Sequence, residues 1–204
     1  MAQRARERAR ALILRYVEEP GARALNSLGL SPNAVTVIGF LIVVVSAVFV
    51  GLGHLQIGGI IFLVGGAADL FDGALARLSQ RVTSFGALLD SLFDRLGEAA
   101  LYLGLAIYGL RIDPDSRNLT VYMTILILAL ASSQGVSYLR ARGESLGIDT
   151  RGGIMTRPER VIILSAGLLL GEATVPLAMG FIAFFSIWTM LTRLIHLWRR
   201  LGTG

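Results

Sequence analysis

Six apolar stretches dominate the pattern of hydrophobic and polar positions along this chain. A membrane-spanning helix needs about 20 mostly apolar residues, because the hydrocarbon core of a bilayer is about 30 Å thick. The fifth stretch is short, and the third is long enough to tilt or to protrude into water. The pattern therefore predicts an all-α integral membrane protein with six transmembrane helices. The six stretches are 33–53, 56–76, 84–110, 119–141, 158–173 and 175–198.

The segment before the first stretch is basic and has a helical periodicity. It covers residues 2–19, and Pro20 interrupts the pattern. Its apolar patch comprises Ala11, Leu12, Leu14 and Val17. A basic amphipathic helix of this kind lies along the membrane interface beside anionic lipid, and a solvated basic tail is the alternative. We therefore divide the chain into an N-terminal basic interfacial segment, 1–30, and a six-helix transmembrane domain, 31–204.

The composition agrees with a membrane protein and restricts its chemistry. Charged residues make up 16% of the 204 residues, against about 25% in soluble domains. All 19 basic residues are Arg, which holds phosphate groups bidentately, although a genome-wide preference for Arg codons would give the same count. The chain has no Cys, which excludes disulfides and thiolate metal ligands.

The placement of the Arg residues predicts the orientation of the chain. Sixteen of the 19 fall in the N-terminal segment, in the connections after the second and fourth stretches, and at the C-terminal end. Basic residues concentrate on the cytoplasmic side of membrane proteins. We therefore expect a multi-pass protein of the cytoplasmic cell membrane, with both termini and the active site in the cytoplasm. The connections on the other side are short and leave little room for chemistry.

Four aspartates interrupt the apolar pattern at the cytoplasmic ends of the second and third stretches. Asp69 and Asp72 are three residues apart, and Asp90 and Asp94 are four apart, so each pair shares one helix face. The two helices are neighbours joined by a short loop, so the four carboxylates can converge. Two divalent cations would cancel their charge and serve displacement at phosphorus. Polar helix packing or a proton relay is the alternative, although intramembrane acids are usually functional.

The spacing of these residues resembles the signature of the CDP-alcohol phosphotransferase family. The match is Asp69-x2-Asp72-Gly73-x2-Ala76-Arg77-x8-Gly86-x3-Asp90-x3-Asp94. The resemblance implies that a CDP-linked alcohol donates its phosphoryl-alcohol group to an acceptor hydroxyl and that CMP is released. It also implies a six-helix membrane bundle with a polar cavity open to the cytoplasm, assembled as a homodimer.

The same resemblance assigns roles to individual residues. Asp69, Asp72, Asp90 and Asp94 would bind two Mg²⁺ ions, with Mn²⁺ as the alternative, and Asp94 would also be the general base. From their positions, Ser31 and Thr83 are also expected to cap helices, with Pro32 at the first helical position. The residues that would contact the CDP-lipid are Ser31, Pro32, Asn33, Ala34, Asp69, Gly73, Ala76, Arg77 and Thr83.

The segment from Ser137 to Leu164 bears on the acceptor. It resembles the matching stretch of prokaryotic phosphatidylinositol-phosphate synthases and their archaeal archaetidylinositol-phosphate relatives. That resemblance implies inositol phosphate as acceptor, with its phosphate bound by Arg140, Arg157 and Arg193. Anchoring at the cytoplasmic surface is the alternative role of these Arg residues, and Arg142 and Arg160 lie nearby. Gly143 and Thr156 depart from the relatives, which often have Ala and Glu there.

We therefore expect an enzyme of phospholipid synthesis that uses CDP-diacylglycerol or CDP-archaeol as donor and a phosphorylated polyol as acceptor. Its partners would be membrane lipids and a second copy of the chain, with no nucleic acid. A phosphatidylglycerophosphate synthase using glycerol 3-phosphate, or another CDP-alcohol phosphotransferase, is the closest alternative. A small cation transporter is the alternative from another class, but it would need a path across the bilayer, and the far side has no acid-rich counterpart of the four aspartates.

Overall fold

The computed structural model describes Tyr16 and residues 18–112, 117–150 and 152–202. Within these ranges all regular secondary structure is helical. The predicted interfacial helix over residues 2–19 lies almost entirely outside the described residues. The seven helices are α1 Glu19–Ser27, α2 Pro32–Gly51, α3 Leu55–Leu78, α4 Ser84–Ile112, α5 Arg117–Ser145, α6 Arg157–Leu170 and α7 Val175–Leu201.

Each of the six predicted apolar stretches forms a helix, α2 to α7, and four of these are long and apolar enough to cross a membrane. The four are α2, α3, α5 and α7. Helix α4 has 29 residues but carries several charged side chains in its first half. Helix α6 has only 14 residues, about 21 Å at 1.5 Å per residue, which is less than the thickness of the hydrocarbon core.

The predicted caps at two helix starts are confirmed. The Ala34 amide donates to Ser31 Oγ at 3.2 Å, immediately before the first turn of α2. The Gly86 amide donates to Thr83 Oγ1 at 3.0 Å at the start of α4. Such bonds satisfy amide groups that have no partner within the helix. Both helices therefore begin where the local sequence placed their starts.

The chain divides into two compact units. The first contains the residues up to Ile42 and Val64–Leu96, and the second contains Val43–Leu63 and the chain from Gly97 onward. In the first unit, α1 packs on a small core. Its buried members are Ala22, Val35, Ala74 and Leu75.

The second unit has the larger apolar core. Its fully buried side chains include Leu101, Tyr102 and Leu105 of α4, Leu164 and Leu168 of α6, and Met179 and Ile182 of α7. Helix α4 also approaches α2 very closely within this unit, because a Cβ at Gly104 would overlap the carbonyl group of Ala47. Small residues at such crossings allow membrane helices to pack backbone against backbone.

Candidate active site

Three of the four aspartates converge in the first unit. Asp69 and Asp72 lie one turn apart on α3, and Asp90 lies on α4 after the turn at 79–83. One carboxylate oxygen from each of the three lies within 4.8 Å of the other two. The i, i+3 spacing and the short connection between the helices produce this arrangement, so the predicted convergence is found for three of the four aspartates. Among the described residues, Asp94 is not a member of this group, which we call the carboxylate cluster, and lies one turn further along α4.

Asp72 is the most buried member of the carboxylate cluster, and a hydroxyl group from α2 fixes its orientation. Thr36 Oγ1 donates to Asp72 Oδ2 at 2.7 Å. Sequence reasoning did not identify Thr36. The available signal was a hydroxyl one turn after Pro32, on the face of an otherwise apolar helix.

The carboxylate cluster has the properties of a divalent cation site. Three carboxylates within a few ångströms repel one another, and burial increases the cost of each unpaired charge. Asp90 Oδ1 is buried and has no hydrogen-bond partner among the described residues. A hard cation with oxygen ligands would satisfy this atom and offset the repulsion. The donor set therefore fits a divalent metal ion.

A cavity of about 380 Å³ opens beside the carboxylate cluster, within the first unit. This volume falls in the range of small-molecule binding sites. The lining comes from the start of α2, the end of α3 and the start of α4 with the turn before it. The lining residues are Pro32, Asn33, Thr36, Asp72, Gly73, Ala76, Arg77, Arg81, Val82, Thr83, Gly86, Ala87 and Asp90.

Most of the residues predicted to contact a CDP-lipid line this cavity. The exceptions are Ser31, Ala34 and Asp69. Of these, Ser31 caps α2 and Asp69 belongs to the carboxylate cluster. Thr36 and Arg81 line the cavity but were not predicted as contacts. The predicted contacts in the lining are Pro32, Asn33, Gly73, Ala76, Arg77 and Thr83.

Two glycines keep the cavity open. A Cβ at Gly86 would lie 3.1 Å from both Asn33 Oδ1 and Thr83 Oγ1, closer than nearly all such contacts. A Cβ at Gly73 would lie 3.4 Å from Arg77 Nη1 and would project into the space that Arg77 borders. Because Gly73 and Gly86 have no side chains, polar groups from three elements can surround the cavity.

The Arg residues predicted to bind the acceptor phosphate lie in the second unit, in three different environments. Arg193 on α7 is buried, and its guanidinium donates from Nε to the Gly152 carbonyl at 3.0 Å and from Nη1 to the Val136 carbonyl at 2.7 Å. Its Nη2 is buried with no hydrogen-bond partner in the described part of the chain. Arg140 is half exposed and pairs with Glu144 at 3.1 Å, while Arg157 is half-buried at the start of α6.

Arg160 does not belong with the Arg residues predicted to bind phosphate, because it forms an ion pair with a buried carboxylate. Its Nε and Nη2 donate to Glu98 Oε1 and Oε2 at 2.6 and 2.8 Å, and Nη2 also donates to Ser137 Oγ at 3.2 Å. Arg160 is only 2% exposed. This bidentate pair connects α4 to α6. If Arg160 bound another group instead, Glu98 would be a buried charge without its partner, which is energetically costly. Sequence reasoning grouped Arg160 with the loop cations and overlooked Glu98.

The two departures from the relatives have local structural causes. A Cβ at Gly143 would lie 2.5 Å from Thr150 Cγ2, so the turn that follows α5 packs directly against that position. Thr156 precedes α6, and its backbone amide donates to Glu159 Oε2 at 3.0 Å, as in a capping box. Both departures therefore reflect packing and capping at the ends of helices.

Comparison with known proteins identifies the family. The profile described as CDP-alcohol phosphatidyltransferase matches residues 29–199. Archaetidylinositol phosphate synthase of Methanothermobacter thermautotrophicus is 36% identical over 196 residues, which cover 94% of this chain and 93% of the relative. The crystal structure of Mycobacterium tuberculosis phosphatidylinositol phosphate synthase with CDP-DAG bound matches with a TM-score of 0.78 at 30% identity, over 89% of this chain and 94% of that one.

The same mycobacterial enzyme in complex with manganese and citrate also matches with a TM-score of 0.78 at 30% identity, over 89% of each chain. Sequence similarity and fold similarity thus extend over nearly the whole chain, and the family profile includes the helices that carry the carboxylate cluster. This chain belongs to the CDP-alcohol phosphatidyltransferase family.

Proposed function

We propose that this protein transfers the phosphatidyl group of CDP-diacylglycerol to a hydroxyl group of inositol phosphate and releases CMP. The observation that carries this proposal is the carboxylate cluster beside a cavity lined by Gly73 and Arg77. The names of the relatives support inositol phosphate as the acceptor, and the bound CDP-DAG of the mycobacterial enzyme supports the donor. CDP-archaeol is the corresponding donor if the membrane lipids are isoprenoid.

The donor binds in the cavity of the first unit. Arg77 contacts its phosphates, since guanidinium groups bind phosphate oxygens through charge-assisted bonds. Gly73 and Gly86 leave room for the nucleotide, and Asn33 and Thr83 supply polar groups at its edge. Ser31, Ala34 and Asp69 do not line the cavity and act on the donor indirectly, through the helix start and the carboxylate cluster.

Asp69, Asp72, Asp90 and Asp94 hold two Mg²⁺ ions, with Mn²⁺ as an alternative. When bound, such ions polarise phosphoryl oxygens and stabilise the leaving group. The manganese in the mycobacterial complex supports a divalent metal here, and so does the Asp90 oxygen, which has no hydrogen-bond partner in the described part of the chain. Thr36 keeps the Asp72 carboxylate in one orientation for this purpose.

The transfer itself forms one bond and breaks another at a single phosphorus. The acceptor hydroxyl oxygen forms a bond to the phosphorus that carries diacylglycerol, and the bond from this phosphorus to the CMP oxygen breaks. Asp94 accepts the hydroxyl proton, so that the attacking oxygen does not become cationic. Arg77 stays on the phosphates and offsets the negative charge that accumulates on CMP.

Arg140, Arg157 and Arg193 bind the phosphate of the acceptor. Arg193 supports this role best, because its Nη2 is buried without a partner in the described ranges and its side chain borders a cavity of about 290 Å³. Arg140 can exchange its exposed contact with Glu144 at little cost. Glycerol 3-phosphate carries a similar phosphate, so it is the acceptor against which inositol phosphate must be compared.

We also propose the membrane arrangement. Helices α2 to α7 form the six-helix transmembrane domain, 31–204, with both termini and the active site on the cytoplasmic side. The charged side chains of α4 then face protein or the polar cavity, as intramembrane charges generally do. Residues 1–30 form the interfacial segment. The protein assembles as a homodimer, as the family resemblance implies.

CMP release by the purified protein tests the proposed function. CDP-diacylglycerol is supplied in mixed micelles with inositol phosphate, free inositol, glycerol 3-phosphate or serine, and CMP is quantified at early times. We expect release with inositol phosphate and little release with free inositol, which lacks the charged group. Preference for glycerol 3-phosphate would change the acceptor but keep the family chemistry. Failure to release CMP with every acceptor, in protein that remains folded, would contradict the proposal.

A further inference from the structure

Helix α1 and the residue before it are part of the first unit and lie next to the donor cavity. Ala22 is buried in a small core with Ala74 and Leu75 of α3. The contact is close, because a Cβ at Gly21 would overlap the ring of Phe71. The end of the N-terminal segment therefore rests on the same helix that carries Asp72, Gly73 and Arg77.

This contact places Glu18 against Arg77. Arg77 Nη2 donates to Glu18 Oε2 at 2.9 Å, between residues 59 positions apart in the chain. The Glu18 side chain is 12% exposed, whereas that of Arg77 is 60% exposed. Glu18 is therefore the fixed member of the pair, and Arg77 is the long, mobile side chain that it restrains.

The two terminal nitrogens of the Arg77 guanidinium have different neighbours. Nη2 points to Glu18, whereas Nη1 lies 3.4 Å from the Cβ position of Gly73, which lines the cavity. Because Gly73 lines the cavity, we expect a phosphate in the cavity to contact Nη1 while Nη2 stays on Glu18. The Arg77 guanidinium would then contact two anions, the Glu18 carboxylate through Nη2 and the phosphate through Nη1.

We propose that Glu18 is a positioning residue for the donor site, holding Arg77 in the orientation in which its free edge faces the phosphates of the CDP-lipid. This inference rests on the proposed function, since it assigns Arg77 to the donor. An unrestrained Arg side chain has many rotamers, and binding a ligand with it costs the entropy of selecting one. Glu18 makes that selection before the donor arrives, so it lowers the concentration of donor needed for turnover.

The main physical alternative is that Glu18 weakens donor binding. A carboxylate near the donor phosphates repels them, and it also competes for the guanidinium. Among the contacts described, Glu18 bonds Nη2, whereas Nη1 is the Arg77 atom near the Cβ position of Gly73. Glu18 is not among the residues that line the cavity, and Coulomb repulsion falls with distance, so Glu18 repels the donor phosphates less than a carboxylate in the lining would. Positioning is therefore the expected net effect.

The test compares Glu18→Gln with Glu19→Gln as the matched control. Glu19 is the next residue, is exposed, and pairs only with Arg23 within α1 among the contacts described. In Glu18→Gln we expect the KM for CDP-diacylglycerol to rise roughly three- to tenfold, the net size of an ordinary hydrogen bond, because the Arg77 side chain is mostly exposed. The KM for inositol phosphate should not change, and kcat at saturating donor should change less than twofold. Glu19→Gln should match the unmodified protein in all three.

Arg77→Gln and the double variant Glu18→Gln/Arg77→Gln complete the cycle. If Glu18 acts through Arg77, the double variant has the same donor KM as Arg77→Gln alone, because the restrained group is already absent. A normal donor KM in Arg77→Gln would contradict the role of Arg77 in the proposed function. A raised KM in Arg77→Gln with an unchanged or lowered KM in Glu18→Gln would overturn only the inference about Glu18.

A purely structural role for Glu18 predicts a different pattern. Loss of the contact would then loosen α1 and lower thermal stability, and the KM values for both substrates would move together. Thermal unfolding in detergent, measured on the same preparations, detects this outcome. Parallel changes in both KM values and in the unfolding temperature would overturn positioning.

Discussion

The two units differ in how their buried charged side chains are neutralised. In the first unit, Asp69, Asp72 and Asp90 bring like charges together, and one buried oxygen of Asp90 has no hydrogen-bond partner among the described residues. In the second unit, Glu98 meets Arg160 in a bidentate pair that satisfies both groups. Charge that is internally neutralised stabilises packing between helices. Charge of one sign that is gathered in one place is offset by a bound cation or by protonation, and such groups are concentrated at ligand sites.

Removal of divalent metal should have the largest effect, and it should affect only the first of these regions. Excess EDTA should abolish CMP release, because no group of opposite charge then offsets the carboxylate cluster. Addition of Mg²⁺ or Mn²⁺ beyond the chelator should restore it. Thermal unfolding should still show a folded protein in EDTA, since the Glu98–Arg160 pair contains no metal. Full turnover in excess EDTA would contradict the metal site.

Breaking the ion pair of the second unit should chiefly affect stability. Glu98→Gln leaves Arg160 as a buried charge without a full partner, which costs about 3–5 kcal/mol for pairs of this kind. The expected result is a clear fall in the unfolding temperature in detergent. The matched control is Asp90→Asn, which removes one of several like charges. In metal-free buffer it should unfold at the same temperature as the unmodified protein or higher.

Asp94→Asn should lower turnover by roughly 10²-fold or more, because it removes the proton acceptor but keeps the size of the side chain. Binding of CDP-diacylglycerol, measured by ligand-induced thermal stabilisation, should persist. If donor binding is lost as well, Asp94 acts mainly as a metal ligand. Turnover close to normal would place the base at another residue.

Thr36→Val should have the smallest effect of the four, since it removes one hydrogen bond to Asp72 without removing a ligand. The bond is charge-assisted, so we expect activity at limiting metal to fall about tenfold. Higher Mg²⁺ should recover most of the activity, and Thr36→Ser should retain it. A titration of activity against Mg²⁺ for the three proteins measures this shift. Superimposable titrations would mean that Thr36 does not orient Asp72.

The local part of this structure could be predicted from the sequence. Periodicity fixes which residues share a helix face, so the convergence of Asp69 and Asp72 with Asp90 followed from spacing and a short connection. Capping depends on a few consecutive residues, so Ser31 and Thr83 were placed correctly. Hydrophobicity alone predicted six transmembrane helices, and four of the corresponding helices are long and apolar enough to cross a membrane.

The partners of the charged groups were decided only by the tertiary structure. Arg160 meets Glu98 across 62 positions and Arg77 meets Glu18 across 59, and no local pattern specifies either pair. The same holds for Thr36, whose hydroxyl reaches Asp72 on the next helix. Hydrogen bonds and ion pairs act over about 3 Å, so they depend on the final packing of helices that are distant in sequence. The sequence therefore determined which groups carry charge and on which face they lie, and the packing determined which of them neutralise one another and which remain available to a ligand.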